Sequence, residues 1–300
     1  MAGTIATSTA VDLSRLPPPD VVQALDYETI LAELQVDLAA RLPDFDAFLE
    51  SDPAIKLLEI VAYRELLLRQ RVNDAGRAVL VAYARGGDLD NIAALFGVER
   101  LVLVPADVEA GTPAVLEEDD DLRRRVLLAP DAYSVAGPRF AYVYHALSAH
   151  GDVLDASATS PEPGEVVVSV LSRLGDGTAS PELLEAVEEV VNADNIRPLT
   201  DHVTVQSAEI ATFTVEAQLT LDPGPDPNLI RDTAEAAVTE LLTTRRRIGR
   251  DVTRSALIAA LHGAGVQNVN LVSPATDVVV GETGAAWAES VTITIAGYAE

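Results

Sequence analysis

The sequence predicts a multidomain α+β protein: an N-terminal helical region followed by two small α+β domains with mostly antiparallel sheets. Three observations point there. Residues 26–96 repeat apolar side chains at helical spacing, as in Ile30, Leu31, Leu34, Leu38 and Leu42. The second half alternates short helical and strand-like stretches, separated by turns such as GDGTAS and DPGPDPN. The length, 300 residues, suits two domains or three small ones. The expected boundaries are an extended, proline-containing arm over 1–25 and a mainly helical domain with one or two strands over 26–130. An α+β domain over 131–209 and a second over 210–300 complete the chain.

The arm passes from small polar residues into Pro17–Pro18–Pro19, which favours extended backbone. Asp26 is placed to cap a first helix, which Pro43 stops. Phe45 and Phe48 are expected to pack in the connection. Asp52 and Pro53 supply the cap and first position of a long second helix. Its apolar positions are wide, from Ile55 through Leu67 to Val79 and Tyr83, so it wants neighbours on more than one face. Gly76 is a candidate kink, and Gly86–Gly87 its expected end. Asp88 then caps a short helix to Phe96, closed by Gly97. Residues 98–105 read as a strand, and 119–129 as a helix ended by Pro130.

The first α+β domain is expected as helix 138–149, strands 152–159 and 164–172, helix 181–194 and strand 202–210. The second is strand 210–221, helices 226–243 and 253–262, and strands 266–273 and 290–297. Ser180–Pro181 gives a cap followed by proline, and Gly263 and Gly265 separate helix from strand.

Lys and Arg total 21 against 47 Asp and Glu, a net charge of −26. Nucleic acid is therefore an unlikely partner, and so is an acidic membrane surface. Hydrophobic residues reach 48%, enough for real cores, with aromatics at only 4%. The absence of cysteine excludes disulfides, thiolate metal sites and thiol catalysis. The N-terminus lacks the pattern of a secretory signal, and no apolar run has the length of a membrane span. The expectation is a soluble protein made in the cytoplasm.

Motifs for chemistry are missing. His145 and His150 stand five apart, and His202 and His262 are isolated, so no metal ligation follows. The EEDDD run, Glu117–Asp121, lacks the alternating ligands of a calcium loop and reads as a solvated helix start. GETGAA is too short and misplaced for a phosphate loop, and GxSxG does not occur. No catalytic residue, cofactor site or metal site is assigned.

Arginine clusters carry more information on so acidic a background. They are Arg64, Arg69 and Arg71; Arg123, Arg124 and Arg125; and Arg245, Arg246, Arg247, Arg250 and Arg254. Guanidinium forks suit carboxylates of other subunits or of this chain. Arg64, Arg69, Arg71, Arg123, Arg247, Arg250 and Arg254 are the candidate subunit-interface residues, with internal pairing and capping as the competing reading.

The stretch KLLEIVAYRELLLRQRVNDAGRAVLVAYARGGDLDNIAALFGVER resembles the N-terminal helical region of the baseplate assembly protein J family of contractile-tailed bacteriophages. The match continues through DLRRRVLLAPDAYSVAGPRFAYVYHALSAHGDVLDASATSPEPGEVVVSVLSRLGDGTAS. It resumes in NIRPLTDHVTVQSAEI, RRIGRDVTRSALIAALHGAGVQNVNLVSP and DVVVGETGAAW. It covers nearly everything after the first 25 residues, with a short connector at 105–120 as a departure. The resemblance implies a structural baseplate wedge component, found in phages, prophages and tailocins, that joins neighbouring wedge subunits around the central hub. It implies no enzyme activity and no cofactor. The implied partners are copies of itself, a small wedge protein of the I type and a hub-proximal wedge protein of the W type. The implied place is the virion's tail baseplate, assembled in the host cytoplasm. The rivals are a cell-wall hydrolase of the tail and an adaptor outside any virion.

Overall fold

The computed structural model describes residues 25–43, 49–134, 136–224 and 226–299. The proline run of the expected arm, and Phe45 and Phe48, lie outside these residues. The chain divides into two units, one spanning Val11–Glu99 and the other containing Arg100–Glu300.

The first unit is helical. Helix α1 (Tyr27–Arg41) begins where Asp26 accepts hydrogen bonds from Glu28 N at 3.1 Å and Thr29 Oγ1 at 2.5 Å. Helix α2 (Pro53–Ala78) begins the same way, with Asp52 accepting from Ala54 N at 2.7 Å and Pro53 at the first position. It packs on α1 and buries Ile55, Ala62 and Asn73. It ends earlier than expected. Gly76 falls in its last turn, Val79 leaves the helix at φ −91° and ψ 3°, and turns follow to Tyr83. Gly86, at φ +51°, opens helix α3 (Gly86–Ala94) instead of closing α2. Asp88 therefore sits in the first turn of α3, where its charge suits the helix dipole, and Arg85 holds the cap position. Gly97, at φ +70°, ends the turn as expected.

The second unit opens with a small antiparallel pair, β1 (Val102–Val104) and β2 (Val115–Leu116). The expected strand at 98–105 thus shrinks to three residues. Arg100 turns off its path to bond the Glu117 carbonyl at 2.6 Å and Asp119 at 2.7 Å. Helix α4 (Asp119–Ala132) contains Pro130 within its last turn rather than stopping before it. Near a terminus the proline removes only one intrahelical bond.

Next come α5 (Arg139–Ala149), β3 (Val153–Thr159), β4 (Glu165–Ser172), α6 (Pro181–Val191) and β5 (His202–Ser207). Ser180 caps α6 by accepting from Leu183 N. The sheet order is β3-β4-β5, with β3 antiparallel and β5 parallel to β4. Its core gathers Tyr142, Ala146, Val168, Val170, Val187 and Val191.

The last part comprises β6 (Glu209–Leu221), α7 (Pro227–Arg245), α8 (Arg254–Leu261), β7 (Val266–Ser273) and β8 (Gly284–Tyr298). The order is β7-β6-β8, again with one antiparallel and one parallel neighbour to the central strand. Among the described residues, three of the five strand pairings are antiparallel. The helix and strand that supply the antiparallel neighbour precede the central strand in the first sheet (α5–β3). In the second they follow it (α8–β7). Strand β8 begins at Gly284, six residues before the expected 290. Its first residues are Gly284, Ala285 and Ala286. They are small because this end is crowded: a Cβ on Gly284 would stand 3.3 Å from the Glu209 carbonyl. Leu171, Ala208 and Ala285, with Leu154, Ile210 and Ile248 against them, form a bridging core between the two sheets.

Candidate interaction surfaces

The EEDDD segment does start helix α4, with Glu118 and Asp120 exposed as expected, but two of its acids, Glu117 and Asp121, are enclosed rather than solvated. Glu117 has a side-chain exposure of 1% and pairs with Arg125, itself 6% exposed, at 2.7 Å. Arg125 also donates to Ser148 Oγ at 3.1 Å. Asp121 is held by Arg173 and Arg247, each at 2.7 Å. Burial alone would raise the Asp121 pKa, but the two guanidinium groups outweigh it and hold the carboxyl below its ordinary value. Asp155, buried on β3, binds Arg124 at 2.5 Å and accepts from Ile248 N at 2.9 Å. Arg247 also donates to the Leu154 carbonyl. The network joins α4, β3 and the segment between α7 and α8.

The third arginine cluster is largely turned inward. Arg246 lies 4.4 Å from the Trp287 ring centroid and donates to the Gly175 carbonyl at 2.8 Å. Arg254 donates to the Leu271 carbonyl at 3.0 Å and to the Pro274 carbonyl. Arg123 pairs with Asp120 on its own helix. Arg250 is half-buried, and its pKa is lowered by that burial and by Arg245.

Helix α2 presents the opposite case. Leu57, Ile60, Val61, Arg64, Leu68, Arg71 and Val72 follow i, i+3 and i+4 spacing and are all exposed, Ile60 by 58% and Leu68 by 65%. This stripe lies roughly opposite Ile55, Ala62 and Asn73, the side turned inward. Arg69 is off the stripe and bonds Glu65 at 2.5 Å, with Glu33 of α1 at 3.7 Å. Among the described residues Arg64 and Arg71 have no ion-pair partner. Helix α1 carries an exposed stripe of another kind: Glu28, Ala32, Glu33, Val36, Asp37 and Ala40. The sequence reading found the arginines but missed this acidic stripe, although its four-residue spacing is visible in YETILAELQVDLAAR.

Among the described residues no group of His, Asp and Glu could hold a metal ion, and no helix is long and apolar enough to cross a membrane. Burial lowers the His145 pKa.

Three family models match in order along the chain: the Baseplate J-like N-terminal domain at residues 50–107, the Baseplate J-like central domain at 134–207 and the Baseplate J-like protein C-terminal domain at 213–294. The chain is also 46% identical over 286 residues to Baseplate protein J of Escherichia phage P2, covering 92% of this chain and 95% of that one. The chain belongs to the Baseplate J family. Its role is accordingly structural, as a wedge component in the baseplate of a contractile phage tail, where it assembles with other subunits. The family is not catalytic, so the hydrolase reading falls, and so does that of an adaptor outside any virion. A partial likeness is found to a chain in the cryo-EM structure of the anti-feeding prophage baseplate, six-fold symmetrised. It has 16% identity and a TM-score of 0.37, and covers 62% of this chain and 42% of that one.

Proposed function

We propose that the helical unit joins this baseplate subunit to its neighbours, and that the outward stripe of α2 is the contact surface. The observation that carries this is the stripe itself: seven exposed positions, five of them apolar, on a helix of 26 residues, about 39 Å long. Such a face is stabilised by cover from another chain.

Charge selects the cover. Two α2 stripes laid together would bring Arg64 and Arg71 of both copies into one interface, with like-charge repulsion. The α1 stripe offers small apolar residues, Ala32, Val36 and Ala40, flanked by Glu33 and Asp37. A second copy that places its α1 on this α2 buries apolar surface and pairs the charges, and a two-fold arrangement makes that contact twice. The small wedge protein of the I type and the hub-proximal W type are the further partners. In this reading the α+β domains extend the connection around the hub and shift as the baseplate rearranges, which releases sheath contraction.

Light scattering on the purified chain, alone and with the small neighbouring wedge protein, tests this. The expected result is a mass above that of one chain of 31.7 kDa. The double reversal Arg64→Glu with Arg71→Glu lowers the mass, as does Asp37→Arg, and mixing the two variants restores it. A chain that stays monomeric, with or without the small protein, overturns the proposal.

A further inference from the structure

The other unit carries a cavity that the α2 contact does not use. A cavity of about 320 Å³ opens between the start of α5, the β3–β4 hairpin and the turn before β8. Its walls are mixed. Ala158, Val166, Pro161 and the Tyr142 side chain give an apolar side, while Arg139, Thr159, Ser160 and Glu282 give a polar one. The volume falls at the lower end of ligand pockets, roughly 300–1,000 Å³.

Two features make this a formed site rather than a surface dent. The first is its rigid floor. Tyr142 Oη donates to Asp201 Oδ2 at 2.8 Å, and Arg197 donates to the Asp201 carbonyl at 2.9 Å. Gly137 fits so closely here that a Cβ would stand 2.7 Å from Pro198 and 2.9 Å from Asp201 Oδ2. The second is Arg139. Its Nε is shielded from solvent without a hydrogen-bond partner, an arrangement that costs stability unless something accepts the bond. Its only ion pair among the described residues is a single contact of 3.3 Å to Glu282, a side chain 64% exposed. A guanidinium presents a planar fork that matches a carboxylate with two parallel bonds, and Glu282 uses one arm of it.

We propose that this pocket receives a carboxylate side chain, Asp or Glu, from a short segment of a neighbouring protein. Arg139 binds the carboxylate through its fork, Glu282 swings into solvent, and the apolar wall covers the methylenes and an adjacent small residue. Arg139 is the recognition residue and Glu282 an internal placeholder. The proposal rests on the reading of this chain as a subunit that binds neighbours, but it uses a surface separate from α2.

The test is NMR titration of the full chain with 15N-labelled arginine and amide groups. The probes are the capped peptide acetyl-Ala-Ala-Glu-Ala-amide, its Gln counterpart, and acetyl-Ala-Ala-Ala with a free terminal carboxylate. The Glu peptide should shift the Arg139 Nε–H signal and the amides of Thr159, Ser160 and Glu282 saturably. The Gln peptide should bind at least about tenfold more weakly. Glu282→Gln should tighten the Glu peptide about two- to threefold by removing the competitor, and Arg139→Gln should abolish the response. Equal shifts with Glu and Gln peptides, weaker binding in Glu282→Gln, or a response only to the free terminus overturns the proposal. Arg64→Glu with Arg71→Glu should leave this titration unchanged, so failure here and failure of the α2 contact are told apart.

Discussion

Two parts of this molecule are rich in arginine and use it oppositely. Arg124, Arg125, Arg173, Arg246 and Arg247 are drawn into ion pairs, carbonyl contacts and a ring stack within their own unit. Arg64 and Arg71 stand on an exposed apolar stripe and are paired with nothing among the described residues. An arginine cluster in an acidic chain thus has several fates: carboxylates, backbone carbonyls and a ring in one region, and an exposed apolar face in the other. The cluster alone does not say which of these fates it meets. What separates the two cases is the company the arginines keep: buried acids around the first set, and surface leucine, isoleucine and valine around the second.

The largest effect should come from the buried pair. Arg125→Ala leaves the Glu117 charge enclosed with its partner gone, and should cost about 3–5 kcal/mol. Replacing both, Arg125→Met with Glu117→Leu, should cost much less, because no lone charge remains. Urea midpoints of the three chains measure this. Equal losses for the single and double replacements would mean that packing, not charge, holds α4 in place.

These fates were unequally legible in the sequence. Asp52–Pro53 and Ser180–Pro181 are local signals, and they placed the starts of α2 and α6. Arg247 finds Asp121 across 126 positions, and Arg124 finds Asp155 across 31, so no local pattern could tell the paired arginines from the free ones. The EEDDD run misled for the same reason. Its acids suit a helix start, which is a local preference, but Glu117 and Asp121 are enclosed by partners that only the fold supplies. The start of β8 was missed because Gly284, Ala285 and Ala286 are small for tertiary reasons, set by the crowded join between the two sheets.

Asp121 gives an intermediate effect and a pH signature. Asp121→Asn loses the charge that binds Arg173 and Arg247, and should cost about 2 kcal/mol near neutral pH. The folded-state pKa is depressed, so the stabilisation is fully present above the unfolded value of about 4 and fades as pH falls through the folded value. Urea midpoints between pH 6 and pH 3 should therefore fall more steeply for the native chain than for Asp121→Asn. Parallel curves would show that the carboxylate charge at Asp121 contributes nothing.

The smallest effect on stability is the most telling for function. Arg64→Glu with Arg71→Glu touches two exposed side chains, and the urea midpoint, compared at a chain concentration dilute enough that both proteins are monomeric, should move by no more than about 0.5 kcal/mol in stability. Association should respond far more, because the same reversal opposes whatever acidic face covers α2. The two readouts separate the regions cleanly: an arginine that serves its own unit changes folding when reversed, and one that serves a neighbour changes only the assembled mass. A clear drop in the urea midpoint for the α2 variant would place Arg64 and Arg71 with the internally engaged arginines, and the contrast between the two regions would not survive.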